Sequence, residues 1–171
     1  FPEKIGGWVA DTGVNTEALS PPSGSFWGVC RSMWNWVSLK GRNYVSLGTN
    51  LKLYIQDSSD SDVVDITPLR ATSTIGSNAF TTTDTSTTVV VNDIAHGAQT
   101  GDFITISGVS GAINGIPAAD FNTEFRVEYI NPNTFAIEVA TPATSSGTTG
   151  ACVVAYQINT GSAIFTTAAG W

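Results

Sequence analysis

Hydrophobic and β-branched positions in this chain alternate with polar ones at a spacing of two, and no segment of useful length carries apolar residues at helical spacing. At residues 34–39, Trp34, Trp36 and Ser38 alternate with Asn35, Val37 and Leu39, giving two faces, one of them aromatic. A turn at 40–43 (KGRN) leads to a second strand at 44–48 (YVSLG). Thr49-Asn50 reverses the chain, and 51–56 (LKLYIQ) makes a third strand. The polar run 57–62 (DSSDSD) reads as a loop, and 63–67 (VVDIT) as a short fourth strand. Pro68 halts it, because proline has no N–H to give to a ladder. Four short strands in succession predict an antiparallel meander, the unit of a propeller blade or a sandwich sheet. One meander cannot bury both its faces and requires neighbours.

Residues 71–86 are rich in Ser and Thr and read as a linker, with one irregular strand around Ala79-Phe80. A second module follows, with strands at 87–92 (TTVVVN), 103–107 (FITIS), 125–130 (FRVEYI), 134–140 (TFAIEVA) and 151–158 (ACVVAYQI). Between them lie a turn-rich connection at 96–102, a Gly/Asn/Pro loop at 108–123, a tight turn at Asn131-Pro132-Asn133 and a Ser/Thr/Gly loop at 141–150. Five strands in about seventy residues predict a small barrel or two-layer sandwich. Residues 159–171 are expected to return to the first module, so that 87–158 is a β module inserted into, or appended to, a larger scaffold formed by 1–70. The fold class is all-β: a blade-like antiparallel meander plus a small barrel or sandwich module.

Composition sharpens this picture. The 171 residues suffice for one ordinary domain or two small ones. Charged residues are 12% of the chain, about half the usual share. A surface of hydroxyls and amides suits a turn-rich β protein and burial against neighbouring subunits, whose interface cores are depleted in charge. The net charge is −7, and the seven Lys and Arg are not clustered. That leaves no electrostatic footprint for nucleic-acid recognition, though an acidic wall is compatible with DNA sliding past it. No apolar run approaches the length of a membrane span. The opening Phe-Pro-Glu-Lys and closing Ala-Ala-Gly-Trp read as parts of a longer product. Cys30 and Cys152 fit no zinc or redox motif. They are expected to be buried small apolar residues, with a disulfide left open.

Candidate chemistry is sparse. His96 is the only histidine. A triad would need a Ser nucleophile and an orienting carboxylate, for which Asp93 and Asp102 are near in sequence. The favoured reading is structural, a ring in a turn before Gly97 that bonds loop backbone. Asp57, Asp60 and Asp62 alternate with serines, as calcium ligands can. An EF-hand needs Gly and Glu at its sixth and twelfth positions, where this chain has Asp62 and Pro68. A solvated hairpin loop is the better reading. Glu124 and Glu128 fall in or beside one strand, on one face if it is regular, and a carboxylate pair is what a glycosidase uses. Trp8, Trp27, Trp34 and Trp36 could stack sugars, but are favoured as core and subunit-interface anchors. The glycines of 108–115 lack the strand-to-helix context of a phosphate loop. No catalytic residue, cofactor site or metal ligand is therefore assigned, and the chain is expected not to be an enzyme. The residues expected to matter are packing residues: Trp34, Trp36, Tyr44, Leu53 and Tyr54.

Two stretches resemble known families. Pro2 to Trp8 (PEKIGGW), then 31–49 with Trp34, Trp36, Gly48 and Thr49, then Leu53-Tyr54 and Asp65-Ile66-Thr67-Pro68, resemble tail proteins of podovirus-like phages, of the nozzle-like or DNA-stabilising type built on β-propellers. The closing Ala-Gly-Trp is similar to the start of a Gly/Trp-rich tract in those chains. The resemblance implies a virion tail protein in a homo-oligomeric ring around the DNA channel. Its partners would be a portal adaptor and fibre or spike proteins, with DNA passing without sequence-specific binding and no membrane. A receptor-recognition or fibre-attachment module is the alternative, then a capsid decoration protein. A polysaccharide hydrolase comes last. Within 87–156, His96-Gly97, Thr100-Gly101-Asp102, Ile104, Ile106, Gly108, Asn114-Gly115 and Asn133-Thr134-Phe135 are similar to a phage β module itself likened to the first catalytic cysteine half-domain of ubiquitin-activating enzymes. That resemblance concerns fold. Cys152 lies in a strand pattern, so no ubiquitin-like chemistry follows.

Overall fold

The computed structural model describes residues 26–57 and 63–158. They belong to two compact units that divide between Thr67 and Pro68. In the first unit, strands β1 (Cys30–Val37), β2 (Asn43–Thr49), β3 (Leu53–Asp57) and β4 (Val63–Asp65) form one antiparallel sheet in sequence order.

The turns follow from their residues. Ser38 donates its N–H to Arg42 O at 2.7 Å and accepts the Arg42 N–H on Oγ at 3.1 Å. Gly41 there has φ +77°, an angle that glycine adopts without a Cβ clash. At the next reversal Thr49 Oγ1 accepts the N–H groups of Leu51 (3.1 Å) and Lys52 (2.8 Å), a side chain standing in for a backbone turn.

Pairing then fixes the faces. Trp36 lies opposite Tyr44, Trp34 opposite Ser46, Ser46 opposite Ile55 and Ile55 opposite Val64. Leu47 and Tyr54 pair on the other face. They are buried, as is Trp27. The Tyr54 hydroxyl accepts the Trp27 N–H at 2.8 Å, and the Phe26 ring lies 6.0 Å from Tyr54.

The second unit is a two-layer sandwich. Its strands are β5 (Leu69–Ile75), β6 (Phe80–Thr82), β7 (Thr88–Asn92), β8 (Phe103–Ser107), β9 (Glu124–Arg126), β10 (Glu128–Asn131), β11 (Thr134–Glu138), β12 (Gly147–Thr149) and β13 (Cys152–Gln157). A single helical turn, α1 (Ala118–Phe121), precedes β9. One sheet has the order β10-β11-β7-β6-β12 and the other β5-β13-β8-β9. Phe80, Val89, Val91, Phe135 and Ile137 of the first and Ile104, Ile106, Val154 and Tyr156 of the second share one buried cluster. The sheets therefore face each other across a common core and do not close into a barrel. Phe80 packs on Phe121 at 4.4 Å, and Phe135 meets Tyr156 edge-on at 6.2 Å.

Three expectations need correction. The stretch 71–86 is not a linker: β5 runs through most of its first half and pairs with β13 from Cys152↔Ile75 to Gln157↔Leu69. Between Arg70 and the half-buried Ile75 its residues are Ala, Thr and Ser at the sheet edge, so ladder hydrogen bonds place it where no apolar stripe does. The strand expected at 125–130 is two strands in different sheets. Buried Val127 is the switch, its N–H donating to Asp102 O at 2.9 Å and its carbonyl accepting from Gly101 at 2.8 Å. Cys30 is exposed on β1 rather than buried, and both thiols are free. The expected return of 159–171 to the first unit lies outside the described residues.

Candidate interaction surface

The groups that sequence singled out for chemistry do not converge. His96 is buried at 5% exposure. Its Nδ1 accepts the Ala98 N–H at 3.0 Å, so Nε2 carries the proton and donates to Asn131 O at 2.9 Å. Its ring stands edge-on to Phe135 at 5.0 Å. Neither nitrogen is left for a serine. Asp93 accepts from Ser73 Oγ at 2.8 Å and from the Tyr156 hydroxyl at 2.5 Å, and Asp102 accepts the Gln99 N–H at 2.9 Å. The possible His96–Asp triad is thus resolved into three separate structural roles.

Glu124 and Glu128 do not share a face of one strand. Glu124 accepts from Gln157 Nε2 at 2.8 Å within the β9 sheet, whereas Glu128 is exposed on β10 in the other sheet. Asp57 ends β3 in an ion pair with Arg42 at 2.9 Å. Asp60, Asp62 and Trp8 lie outside the described residues. Among the described residues no group of three or more His, Cys, Asp or Glu is placed to hold a metal ion.

Two polar clusters escaped sequence reasoning. Asp93, Ser73 and Tyr156 form one, capped by Arg70. Its guanidinium lies 4.8 Å over the Tyr156 ring and donates to His96 O at 2.9 Å. Burial, then the hydrogen bond to Asp93 and its charge, push the Tyr156 hydroxyl pKa far above its ordinary value. Burial, with Asp93 adding, pushes the Cys152 thiol up to about 11. The second cluster is Lys52, 1% exposed, with its Nζ 2.6 Å from Asp65 Oδ2. The signal available for it was phase. Lys52 falls on the same parity as Tyr54, the buried position of that strand.

What the fold does assemble is an apolar sheet face in the first unit. Trp34 is 73% exposed. Trp36 stacks on Tyr44 with centroids 5.6 Å apart and planes at 25°. Leu53 and Ile55 continue the face half-buried, and Val64 ends it exposed. Every residue of β1 is exposed, so Met33 and Val37 on its opposite face are uncovered too. Soluble monomers rarely leave so continuous a patch in water. Of the five residues expected to pack, Trp34, Trp36, Tyr44 and Leu53 share this face. Tyr54, the residue after Leu53, points to the opposite face and is buried there under Trp27. Ser46, on this face between Trp34 and Ile55, turns its hydroxyl to Trp34 O at 3.3 Å, and the surface can bind by burying apolar area.

No protein-family profile matches the chain, and no curated protein does. Among solved structures it is similar to the phage phi92 endosialidase, with a TM-score of 0.42 and 20% identity over 76% of this chain and 17% of that one. The chain thus spans a small part of that protein, and so loose a likeness decides neither fold family nor activity.

Proposed function

We propose that this chain is a structural component of a phage tail, nozzle-like, whose first unit is a blade that docks copies of itself or neighbouring tail proteins around the DNA channel. The observation that carries the reading is the exposed aromatic face of Trp34, Trp36 and Tyr44 on a four-stranded sheet whose first strand has every residue exposed. The resemblance of 31–49 and 65–68 to podovirus-like tail proteins points the same way. Catalysis has no part in this reading. A reconstruction of the intact particle tests it. A ring on the portal axis, with the Trp34 face buried against a neighbour, is the expected result. A position on the capsid surface, or a Trp34 face open to solvent in the particle, refutes it.

A fibre-attachment role is the second reading. It is favoured by the outer strand β10, where Tyr129 (39% exposed) and Ile130 (48% exposed) lie uncovered at a sheet edge of the second unit. In the same reconstruction it requires β10 to contact a fibre protein.

A further inference from the structure

We infer that β1 pairs edge to edge with β1 of a second copy of this chain, antiparallel about a two-fold axis through Asn35. Strand β1 is the end strand of its sheet, and among the described residues nothing pairs with its outer side. Edge strands that avoid pairing are short, kinked or carry Lys or Pro. The opposite edge of this sheet, β4, is three residues long and runs into Pro68. By contrast β1 has eight residues, no Pro and one charge, Arg31, at its start. A register irregularity between Cys30 and Ser32 confines its regular part to residues 32–37.

The backbone phase selects the register. Ser38 donates inward, to Arg42 O. Hydrogen-bonding residues alternate along an antiparallel strand, so Met33, Asn35 and Val37 turn their N–H and C=O groups outward. A two-fold through Asn35 sets these three against Val37, Asn35 and Met33 of the second copy, and every outward group finds a partner. The same register sets Trp34 against Trp36 of the second copy at the closely spaced, non-hydrogen-bonded positions, where aromatic cross-strand pairs interact best. Arg31 then falls opposite Leu39 of the second copy, and no like charges meet.

The area limits the contact to a weak dimer. Trp34 (73% exposed), Met33 (66%), Val37 (63%) and Trp36 (37%) present up to roughly 500 Å² per copy at typical side-chain areas. Side-by-side strands cover each other's flanks rather than their faces, so the pair buries at most on the order of 1,000 Å², the lower limit of a specific interface. A dissociation constant in the micromolar range is expected for such a contact. This contact does not rest on the nozzle reading, since a two-fold contact joins copies in pairs whereas a ring joins them head to tail.

The test exploits the axis. Asn35 faces its own copy, so Asn35→Lys sets lysine against lysine and Asn35→Glu sets glutamate against glutamate. By light scattering at about 100 µM, the wild-type chain is expected as a dimer. Each variant, with an unchanged far-ultraviolet circular dichroism spectrum, should run at half that mass, and an equimolar mixture of the two should regain it. Should a charged variant lose its β spectrum, Asn35→Pro replaces it, because the N–H it removes faces outward and leaves the β1–β2 ladder intact. A wild-type monomer overturns the inference. So does association that both charged variants retain, or a mixture that stays monomeric. A pairing lost in these variants while the chain still occupies the portal axis separates this contact from the nozzle reading.

Discussion

The buried ion pair in the first unit sets up an asymmetry that denaturation can measure. The Lys52 side chain is 2% exposed and that of Asp65 32%, and their charged atoms are 2.6 Å apart. Asp65→Ala leaves the ammonium buried without the Asp65 charge. Breaking a fully buried pair costs about 3–5 kcal/mol. Because a third of Asp65 is in solvent, screening lowers the expected loss to about 2–3 kcal/mol. Lys52→Met keeps the apolar stem and removes the buried charge. Asp65 can then hydrate and still accepts the Thr67 N–H at 2.8 Å, so the expected loss is about 0–1 kcal/mol. Urea unfolding followed by tryptophan emission isolates the first unit, because residues 68–158 contain no tryptophan. The Asp65→Ala midpoint should fall by roughly 1–2 M, and the Lys52→Met midpoint by well under 1 M. The double variant should resemble Lys52→Met. Equal losses for the two single variants, or a larger loss for Lys52→Met, would refute a buried, electrostatically matched lysine.

Other consequences lie in the second unit. Tyr156→Phe leaves Asp93 with the Ser73 hydroxyl and should cost about 1–3 kcal/mol at neutral pH, read by thermal unfolding in the far ultraviolet; no change would remove Asp93–Tyr156 from the fold's supports. Tyr156 and Cys152 both hold their protons more tightly folded than unfolded. The folded state is therefore favoured below their ordinary values of 10.0 and 9.0, and that contribution is lost as pH rises beyond them. Stability should thus fall from about pH 9 upward, less steeply in Tyr156→Phe; a flat alkaline limb in the wild type contradicts this. Thiol titration at pH 8 should give one fast group, Cys30, and a second, Cys152, only after denaturation; two fast groups would contradict the burial of Cys152. A Cβ on Gly150 would come within 2.9 Å of Phe80 and Ile113 at φ +86°, so Gly150→Ala should cost about 1–3 kcal/mol, and a neutral substitution would show that β12 can shift. Thr85 is a β-branched residue at φ +63°, and Thr85→Gly should stabilise by roughly 1 kcal/mol; destabilisation would mean its side chain contributes more than its backbone angle costs.

How much of this was legible depended on whether a strand buries a face. Strands β7, β8 and β13 place Val89, Val91, Ile104, Ile106, Val154 and Tyr156 in the core, and their period of two announces them. Strands β5 and β12 are mostly Thr, Ser, Ala and Gly, and edge positions held by ladder bonds leave no such signal. The site was legible to the same depth. Parity brought Trp34 and Trp36 together, but Leu53 and Tyr54 are neighbours, and one step along a strand changes the face. Parity marked Lys52 as buried, but the pairings themselves were unreadable, because Asp93 meets Tyr156 across 63 positions and Lys52 meets Asp65 across 13, distances that no local pattern spans. The scarcity of charge belongs to the same logic. A strand that must stay single is guarded by charge, whereas β1 carries only Arg31 and β5 only Arg70 among their exposed residues. Like β1, β5 is an end strand with a partner, β13, on one side only among the described residues. In β1 the inner side has β2, the outer side has no partner among the described residues, and both faces carry exposed apolar side chains. The composition that reads as featureless in the sequence therefore leaves both edges unguarded, and at β1 the exposed Met33, Trp34, Trp36 and Val37 add the apolar area that favours pairing.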